Sequence, residues 1–350
     1  MIVLGIETSC DETAVGLVDD TGRVLGQGLW SQIAAHRPYG GVVPEIAARA
    51  HGDHIGACLD EAFRESGLDR GDVDGVAATC GPGLIGGVMV GAVMGKALAA
   101  GLGVPFVAVN HLEAHALTVR LLEAVTFPYL VLLVSGGHCQ LLIVRGVGHY
   151  RLLGTTLDDA AGECLDKGAA MLGLPYPGGP ALEQAAKGGN PHAFDLPRPL
   201  KGRSDCAFSF SGLKTALRQR VEALTVHGPL SNAVLADLAA SLQEAVADVV
   251  ADRVAQALRM VRDDPNESSL TALVAAGGVA SNATLRARLA ALASTWGLPF
   301  KTSPPALCTD NGIMVAWAGL ERLRLGLTSP LSTPARPRWP LESLAVESGN

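Results

Sequence analysis

The chain has no C-x-x-C pair, no H-E-x-x-H run and no excess of positive charge. Each absence removes a class of function. Seven cysteines lie scattered at 10, 58, 80, 139, 164, 206 and 308, an odd number at irregular spacing, which predicts reduced thiols rather than a disulfide framework. Without H-E-x-x-H there is no zinc-protease helix. A formal net charge of -7 excludes a surface coated in positive charge, although a local basic face stays compatible, because phosphates respond to the patch they meet. Charged residues make up only 17% of the chain against 48% hydrophobic, so a sizeable core is available and wholesale disorder is excluded. The opening "MIVLGIETSC" lacks the basic start and long apolar run of a signal peptide, and the expected compartment is the cytoplasm.

What is present begins with glycine, 42 of 350 residues, and with no Gly-X-Y period this means tight turns and close backbone approaches. The most membrane-like stretch, "GLIGGVMVGAVMGKALAAGLGVPFVAV" at 83–109, carries Lys96 in its middle and is broken by Gly101, Gly103 and Pro105. It predicts a buried helix over about 84–100 followed by a strand at 105–109, and no membrane partner. Gly87, Gly91 and Gly95 give that helix one bare face that another backbone can approach.

The first residues, "IVLGIETSCDETAVGLVDDTGRVLGQG", read as strand, polar loop, strand, turn, strand. Residues 130–154, "LVLLVSGGHCQLLIVRGVGHYRLLG", repeat that order at an offset of 127, with Glu7-Thr8-Ser9 over Val134-Ser135-Gly136. Residue identity is poor, so the pattern is a suspected internal duplication. Two such hairpins tipped with small residues suit a nucleotide held by backbone N–H groups, the layout of the actin, Hsp70 and sugar-kinase superfamily (ASKHA). On pattern alone other α/β folds compete with it; the expected class is α/β, two-lobed, with a duplicated core and a helical insertion at about 160–265. The expected partition is 1–110 for the N-terminal lobe, 111–325 for the C-terminal lobe and 326–350 for a tail. Within the insertion, 235–262 is a long amphipathic helix with Leu238, Leu242, Val246 and Val249 along one stripe.

The chemistry-bearing residues cluster in a few motifs. In "VNHLEAHALTVR", His111 and His115 stand four positions apart and share a helix face, which suits two imidazoles on one metal; two buried or surface histidines would show the same spacing. Glu113 between them points elsewhere. Asp310 in "CTDNG" sits at a strand-to-helix turn, where Thr309 or Asp310 is expected near the N-cap. Joined to the two histidines it would complete a two-His, one-carboxylate set with open positions. "VSGGHCQ" offers a phosphate-type loop ending in His138, and "AAGGVASN" ends in Asn282, able to bond a ribose or base edge. "YPGGPALE" carries Glu183, and "DDAAGECLDKG" carries Asp166, able to accept ribose hydroxyls. Cys139 adjoins His138, but neighbours in a strand point to opposite faces, which argues against a Cys–His hydrolase. Lys214, Arg218 and Arg220 cluster near two phenylalanines, either as an exposed helix face or as a contact for RNA phosphates.

Taken in order, "GIETSCDET", "SQIAAHRPYGGVVPEIAARAH", "NHLEAHA", "LVSGGHCQL", "DDAAGECLDKGAAMLGLPYPGGP", "FSFSGLKTA", "AAGGVASNATLR", "CTDNGIMVAWAG" and "RPRWP" resemble the bacterial TsaD family, the tRNA N6-adenosine threonylcarbamoyltransferases. The resemblance runs over essentially the whole chain and implies transfer of the L-threonylcarbamoyl group from L-threonylcarbamoyladenylate to N6 of the adenosine 3′ of the anticodon, in tRNAs reading codons that begin with A, with release of AMP. By matching positions it implies His111, His115 and Asp310 as ligands of one divalent metal, Fe(II) foremost with Zn(II) as the other candidate. It implies Val134, Ser135, Gly136, Gly137 and His138 around the donor's phosphate and carbamoyl region, and Asp166, Gly179, Glu183 and Asn282 around the adenylate, with ATP a further adenine ligand. His138 or Asp11 is the candidate acceptor of the amine proton. Implied partners are tRNA, threonylcarbamoyladenylate, a paralogous TsaB-type subunit and a TsaE-type ATPase. Cys164 and Leu165 in "GECLDK", and the order of small residues in "GGVASN", depart from the family pattern and bear on pocket shape. A small-molecule kinase and a non-catalytic nucleotide-binding scaffold of the same fold are the competing readings.

Overall fold

The computed structural model describes residues 1–123, 125–226 and 228–344. Two compact units divide the chain. One comprises Met1–Ala124, Arg145–Tyr150 and Thr309–Asn350, and the other Val125–Val144 and Arg151–Cys308.

The first sheet has five strands: β1 (Ile2–Glu7), β2 (Glu12–Asp19), β3 (Val24–Ser31), β4 (Gly75–Gly81) and β5 (Phe106–Asn110), in the order β3-β2-β1-β4-β5. Strands β1 and β2 form an antiparallel hairpin, while β4 and β5 add in parallel beyond β1. The central strands are covered on both faces, which is why they read as unbroken apolar runs rather than as alternation. Helices Pro44–Ser66 and Ile85–Leu102 and the late helix Gly312–Arg324 pack on this sheet. Close approach needs glycine here. A Cβ on Gly5 would lie 2.1 Å from the Ala316 nitrogen, and one on Gly312 would lie 2.4 Å from the Gly16 nitrogen. Backbone therefore rests on backbone, and the start of the late helix is seated against β1 and β2.

The helix expected to be buried, Ile85–Leu102, is covered on one face only. Gly87, Gly91 and Gly95 meet Thr8 and Ala78, as their bare face requires, but Ile85, Met89 and Val93 on the other face are exposed. Among the described residues it is the one helix long and apolar enough to cross a membrane by length and composition.

The second sheet contains β6 (Tyr129–Val134), β7 (Cys139–Gly146), β8 (His149–Thr155), β9 (Leu273–Ala276) and β10 (Phe300–Thr302), in the order β10-β9-β6-β7-β8. Read from the other edge this is the order of the first sheet. The suspected duplication is thus present in topology, and the offset of 127 carries both ends of β1 onto β6 and both ends of β2 onto β7. Between β8 and β9 stand the helices Ala161–Met171, Gly178–Ala185, Ser211–Thr225 and Asn232–Asp263. The stripe Leu238, Leu242, Val246 and Val249 of the longest is buried in this unit's core, as its period predicts.

Candidate functional site

Strand β5 runs directly into the helix His111–Leu117. Asn110 caps that helix, its Oδ1 accepting from the N–H groups of Leu112 (2.9 Å) and Glu113 (3.4 Å). The cap places His111 at the first helical position and His115 one turn on, both almost fully buried. Their rings meet edge to face, with centroids 4.7 Å apart.

Asp310 joins them from the far end of the chain. Its Oδ1 lies 3.1 Å from His115 Nε2 and 3.6 Å from His111 Nε2. One ligand atom from each of His111, His115 and Asp310 fits within 4.8 Å of the others. Thr309 and Asp310 do lie near the N-cap of the late helix, but neither is the cap itself. Asn311 is the cap, in extended conformation, with its Oδ1 2.8 Å from the Met314 N–H. Because Asn311 takes that duty, the Asp310 carboxylate faces the two imidazoles. Glu113 does turn away: its Oε1 accepts from the Gly148 N–H (3.0 Å) and the Tyr150 hydroxyl (2.9 Å), and Arg322 Nε stands 3.2 Å from Oε2.

Two carboxylates missed in the sequence complete the surroundings. Glu7, at the end of β1 and fully buried, accepts from the Ser9 N–H (2.5 Å) and the Thr79 hydroxyl (2.6 Å), and its Oε2 lies 3.1 Å from His111 Nδ1. Burial opposes protonation of His111, yet the negative charges of Asp310 and Glu7 overcome it and hold the imidazole up at about 9. Burial likewise raises the Glu7 carboxyl, and the facing His111 outweighs that and lowers it. Glu12 is pushed the other way, to about 8, by burial and by the like charges of Asp11 and Asp310. Asp11 therefore belongs to the same acidic neighbourhood as Asp310. Its carbonyl accepts from the Gln32 N–H at 3.0 Å, which ties the loop to the long motif beginning "SQIAAH". A signal existed for Glu7, since it is the one acidic residue of the run "IVLGIE".

The donor set is sound for a divalent cation. Two imidazoles and a carboxylate converge, and a second carboxylate holds the far nitrogen of one imidazole, as ligating histidines ordinarily require. The first unit also has a cavity lined by Ala108, Arg322, Ser329, Thr333, Arg336 and Trp339. None of those residues belongs to the His–His–Asp cluster.

The remaining expected residues lie in the second unit. The β6–β7 loop Ser135–His138 is closed by the Ser135 N–H donating to the His138 carbonyl (2.8 Å) and by the His138 N–H donating to Ser135 Oγ (3.2 Å). The Ser135 N–H is thus spent inside the turn. Gly136 and Gly137 are exposed, and a Cβ on either would meet nothing within 4 Å. Val134 is buried, and a Cβ on Gly277 would lie 2.5 Å from its carbonyl oxygen. Cys139 is fully buried, and that burial pushes its thiol well up, whereas His138 is half-exposed, so the pair offers no thiolate–imidazole couple. Asp166 Oδ1 accepts from the Gly179 N–H (2.9 Å), and Glu183 Oε1 accepts from the Ala283 N–H (2.8 Å). Asn282 caps the helix Ala283–Thr295 through Leu285 N–H (3.0 Å), and its amide nitrogen donates to Gln243 Oε1 (2.8 Å). In the basic cluster, Lys214 pairs with Asp159 at 2.5 Å and Arg220 lies over the Phe194 ring.

A family profile described as "TsaD: tRNA N6-adenosine threonylcarbamoyltransferase" matches residues 23–317. A protein of that name from Paramagnetospirillum magneticum is 56% identical over 345 residues, covering 99% of this chain and 98% of its own. One from Rhodospirillum rubrum is 57% identical over 347 residues, covering 97% and 94%. Among solved structures, HypF of T. kodakarensis is similar with a TM-score of 0.59 at 17% identity, over 93% of this chain and 48% of that one. Component A of the (R)-2-hydroxyglutaryl-CoA dehydratase of Acidaminococcus fermentans is similar with a TM-score of 0.54 at 16% identity, over 93% and 99%. At such identities the two structures speak for the fold alone, the duplicated α/β class described above.

Proposed function

The chain belongs to the TsaD family of tRNA N6-adenosine threonylcarbamoyltransferases, and from that premise we infer that His111, His115 and Asp310 hold a single divalent metal at its reaction centre. The reaction moves the L-threonylcarbamoyl group from L-threonylcarbamoyladenylate to N6 of the adenosine 3′ of the anticodon, in tRNAs reading codons that begin with A. The kinase and scaffold readings lose their footing, because relatives more than half identical along the whole chain carry the transferase name.

The observation that carries the metal assignment is the meeting of three ligand atoms within 4.8 Å, although Asp310 is 195 positions from His115. Iron(II) is the favoured ion and zinc(II) the second, since imidazole and carboxylate suit both. When bound, the cation would orient the donor and polarise its carbamoyl carbonyl.

The protein's own residues supply position and charge. An adenine N6 amine is a poor nucleophile, because its lone pair is delocalised into the ring. Nitrogen attacks the carbonyl carbon, the bond from that carbon to the phosphate oxygen breaks, and AMP leaves. Gly136 and Gly137, exposed and without side chains, leave the loop open to the departing phosphate, and Val134, Ser135 and His138 shape that loop. Asp166 and Gly179, linked to each other, and Glu183 and Asn282, together at the start of the helix Ala283–Thr295, form the adenylate side. ATP is a further candidate for it. Asp11 or His138 takes the N6 proton, Asp11 standing beside Glu12 and in the neighbourhood of Asp310. The family name implies tRNA as a partner, and the motif resemblance adds a TsaB-type paralogue and a TsaE-type ATPase, in the cytoplasm.

The test combines metal analysis with transfer of labelled threonine to anticodon stem-loops. Wild-type protein should retain about one metal per chain, and His115→Ala or Asp310→Ala should lose both metal and transfer while keeping the fold. Full transfer by a chelator-treated double variant would refute the assignment.

A further inference from the structure

We propose that Glu7 is a positioning residue for the cation site: it holds His111 by Nδ1 so that Nε2 faces the ion. This rests on the metal reading given above. Three observations carry it.

The first is geometric. Glu7 Oε2 lies 3.1 Å from His111 Nδ1, while Nε2 of the same ring lies 3.6 Å from Asp310 Oδ1. An imidazole whose Nδ1–H donates to a carboxylate presents its Nε2 lone pair on the opposite edge. Ser9 Oγ, also 3.1 Å from Nδ1, lies on the same side of the ring and reinforces that choice.

The second is the rigidity of the carboxylate itself. Ser9 N–H fills Oε1, and the Thr79 hydroxyl shares Oε2. Strand β4 supplies Thr79 and strand β5 leads into His111, so three adjacent parallel strands fix the triad. Glu7 has no freedom to follow the ring elsewhere.

The third is internal to the molecule. The position that the duplication sets against Glu7 is Val134, which is also fully buried. Strand pairing matches Ile6 with Ala78 in one sheet and Leu133 with Ala276 in the other, so Thr79 corresponds to Gly277. The same backbone therefore closes with valine and glycine where the first sheet has glutamate and threonine. The fold does not require a carboxylate there. Burying one is costly unless it is paired, and the partner it meets is a candidate ligand.

The test uses the full chain and two substitutions, Glu7→Gln, which keeps the shape, and Glu7→Val, which installs the residue of the second copy. Zinc(II) and cobalt(II) affinities are measured by competition with a chelator at about pH 9, where the proton on His111 no longer competes strongly with the metal, beside thermal unfolding. His111 Nδ1–H is followed by NMR on zinc-loaded protein labelled with 15N-histidine, assigned with His111→Ala and His115→Ala. The expected result is a loss of affinity of about tenfold for Glu7→Gln and about 100-fold for Glu7→Val, with folding retained. The His111 Nδ1 proton should lie far downfield in the wild type and move upfield in Glu7→Gln, while His115 signals stay. A role confined to strand stability would leave that proton where it is. Wild-type affinity and an unmoved proton in Glu7→Gln would overturn the inference while leaving the metal site standing. Absence of metal binding by the wild-type chain, or wild-type binding by His111→Ala and His115→Ala, would overturn both.

Discussion

Metal uptake by the His111–His115–Asp310 site should expel a proton, and its affinity should climb with pH well above the range of an ordinary histidine. The buried imidazole of His111 is held up at about 9 by the negative charges of Asp310 and Glu7. A metal needs the lone pair on Nε2, so the bound proton must leave first. At pH 7 only about one molecule in 100 has that nitrogen vacant, and each pH unit up to 9 should strengthen binding about tenfold, worth ~1.4 kcal/mol. An ordinary imidazole would give a flat profile over the same window. The perturbation that tests the cause is Asp310→Asn, which removes the leading raising charge while keeping an oxygen ligand. Its break point should fall toward ~6.5. Calorimetric titration of zinc(II) at pH 7.5, in buffers of different ionisation heat, counts the protons released. About one from His111 is expected in the wild type and clearly fewer from that imidazole in Asp310→Asn. Wild-type binding heat independent of buffer, with affinity constant from pH 7 to 9, would refute the reasoning.

Three further outcomes can be checked. The metal-free protein should be most stable near pH 5 and lose stability toward pH 9: Glu12, raised to about 8, binds its proton more tightly folded than unfolded, so its penalty grows from ~4.5 upward, and the stabilisation from His111 fades between ~6.5 and 9; thermal midpoints across that range would show it, and a flat series would contradict it. Asn311→Ala should cost ~1 kcal/mol of stability through the lost cap and weaken zinc affinity because Asp310 is its neighbour, measurable by urea unfolding and chelator competition. Binding of a tRNA anticodon stem-loop should fall steeply, by at least about tenfold, between about 50 and about 200 mM salt despite the net charge of -7, as a filter-binding series would report; a flat response would assign the grip on RNA to another subunit.

Much of the architecture was legible in the chain because hairpins declare themselves. Apolar runs broken by small polar loops predicted β1, β2, β6 and β7, and the offset of 127 proved true of the strand ends although few residues match. Strand order was not legible, since parallel partners such as β1 and β4 lie about seventy residues apart with no local signal between them. His111 and His115 could be paired from helical spacing alone. Asp310 could be suspected but not distinguished from its neighbours, because Thr309, Asp310 and Asn311 all make good caps and only the backbone shows that Asn311 is used. Glu7 looked like an ordinary strand end, and its meaning depends on Thr79 and His111, which arrive from two later strands. The helix Ile85–Leu102 was misjudged in its burial because an apolar helix covered on one side has the same composition as one enclosed all round.

The late helix Gly312–Arg324, seated by glycine on β1 and β2, sets the timing of assembly. A nascent polypeptide emerging from the ribosome can pair its first two strands within its first twenty residues, yet the third ligand follows almost three hundred positions later. Such long-range closure is slow relative to local hairpins. On the proposed metal reading, loading would wait for chains whose synthesis has passed Asp310, and a ribosome stalled earlier would release a product with two histidines and no complete cage.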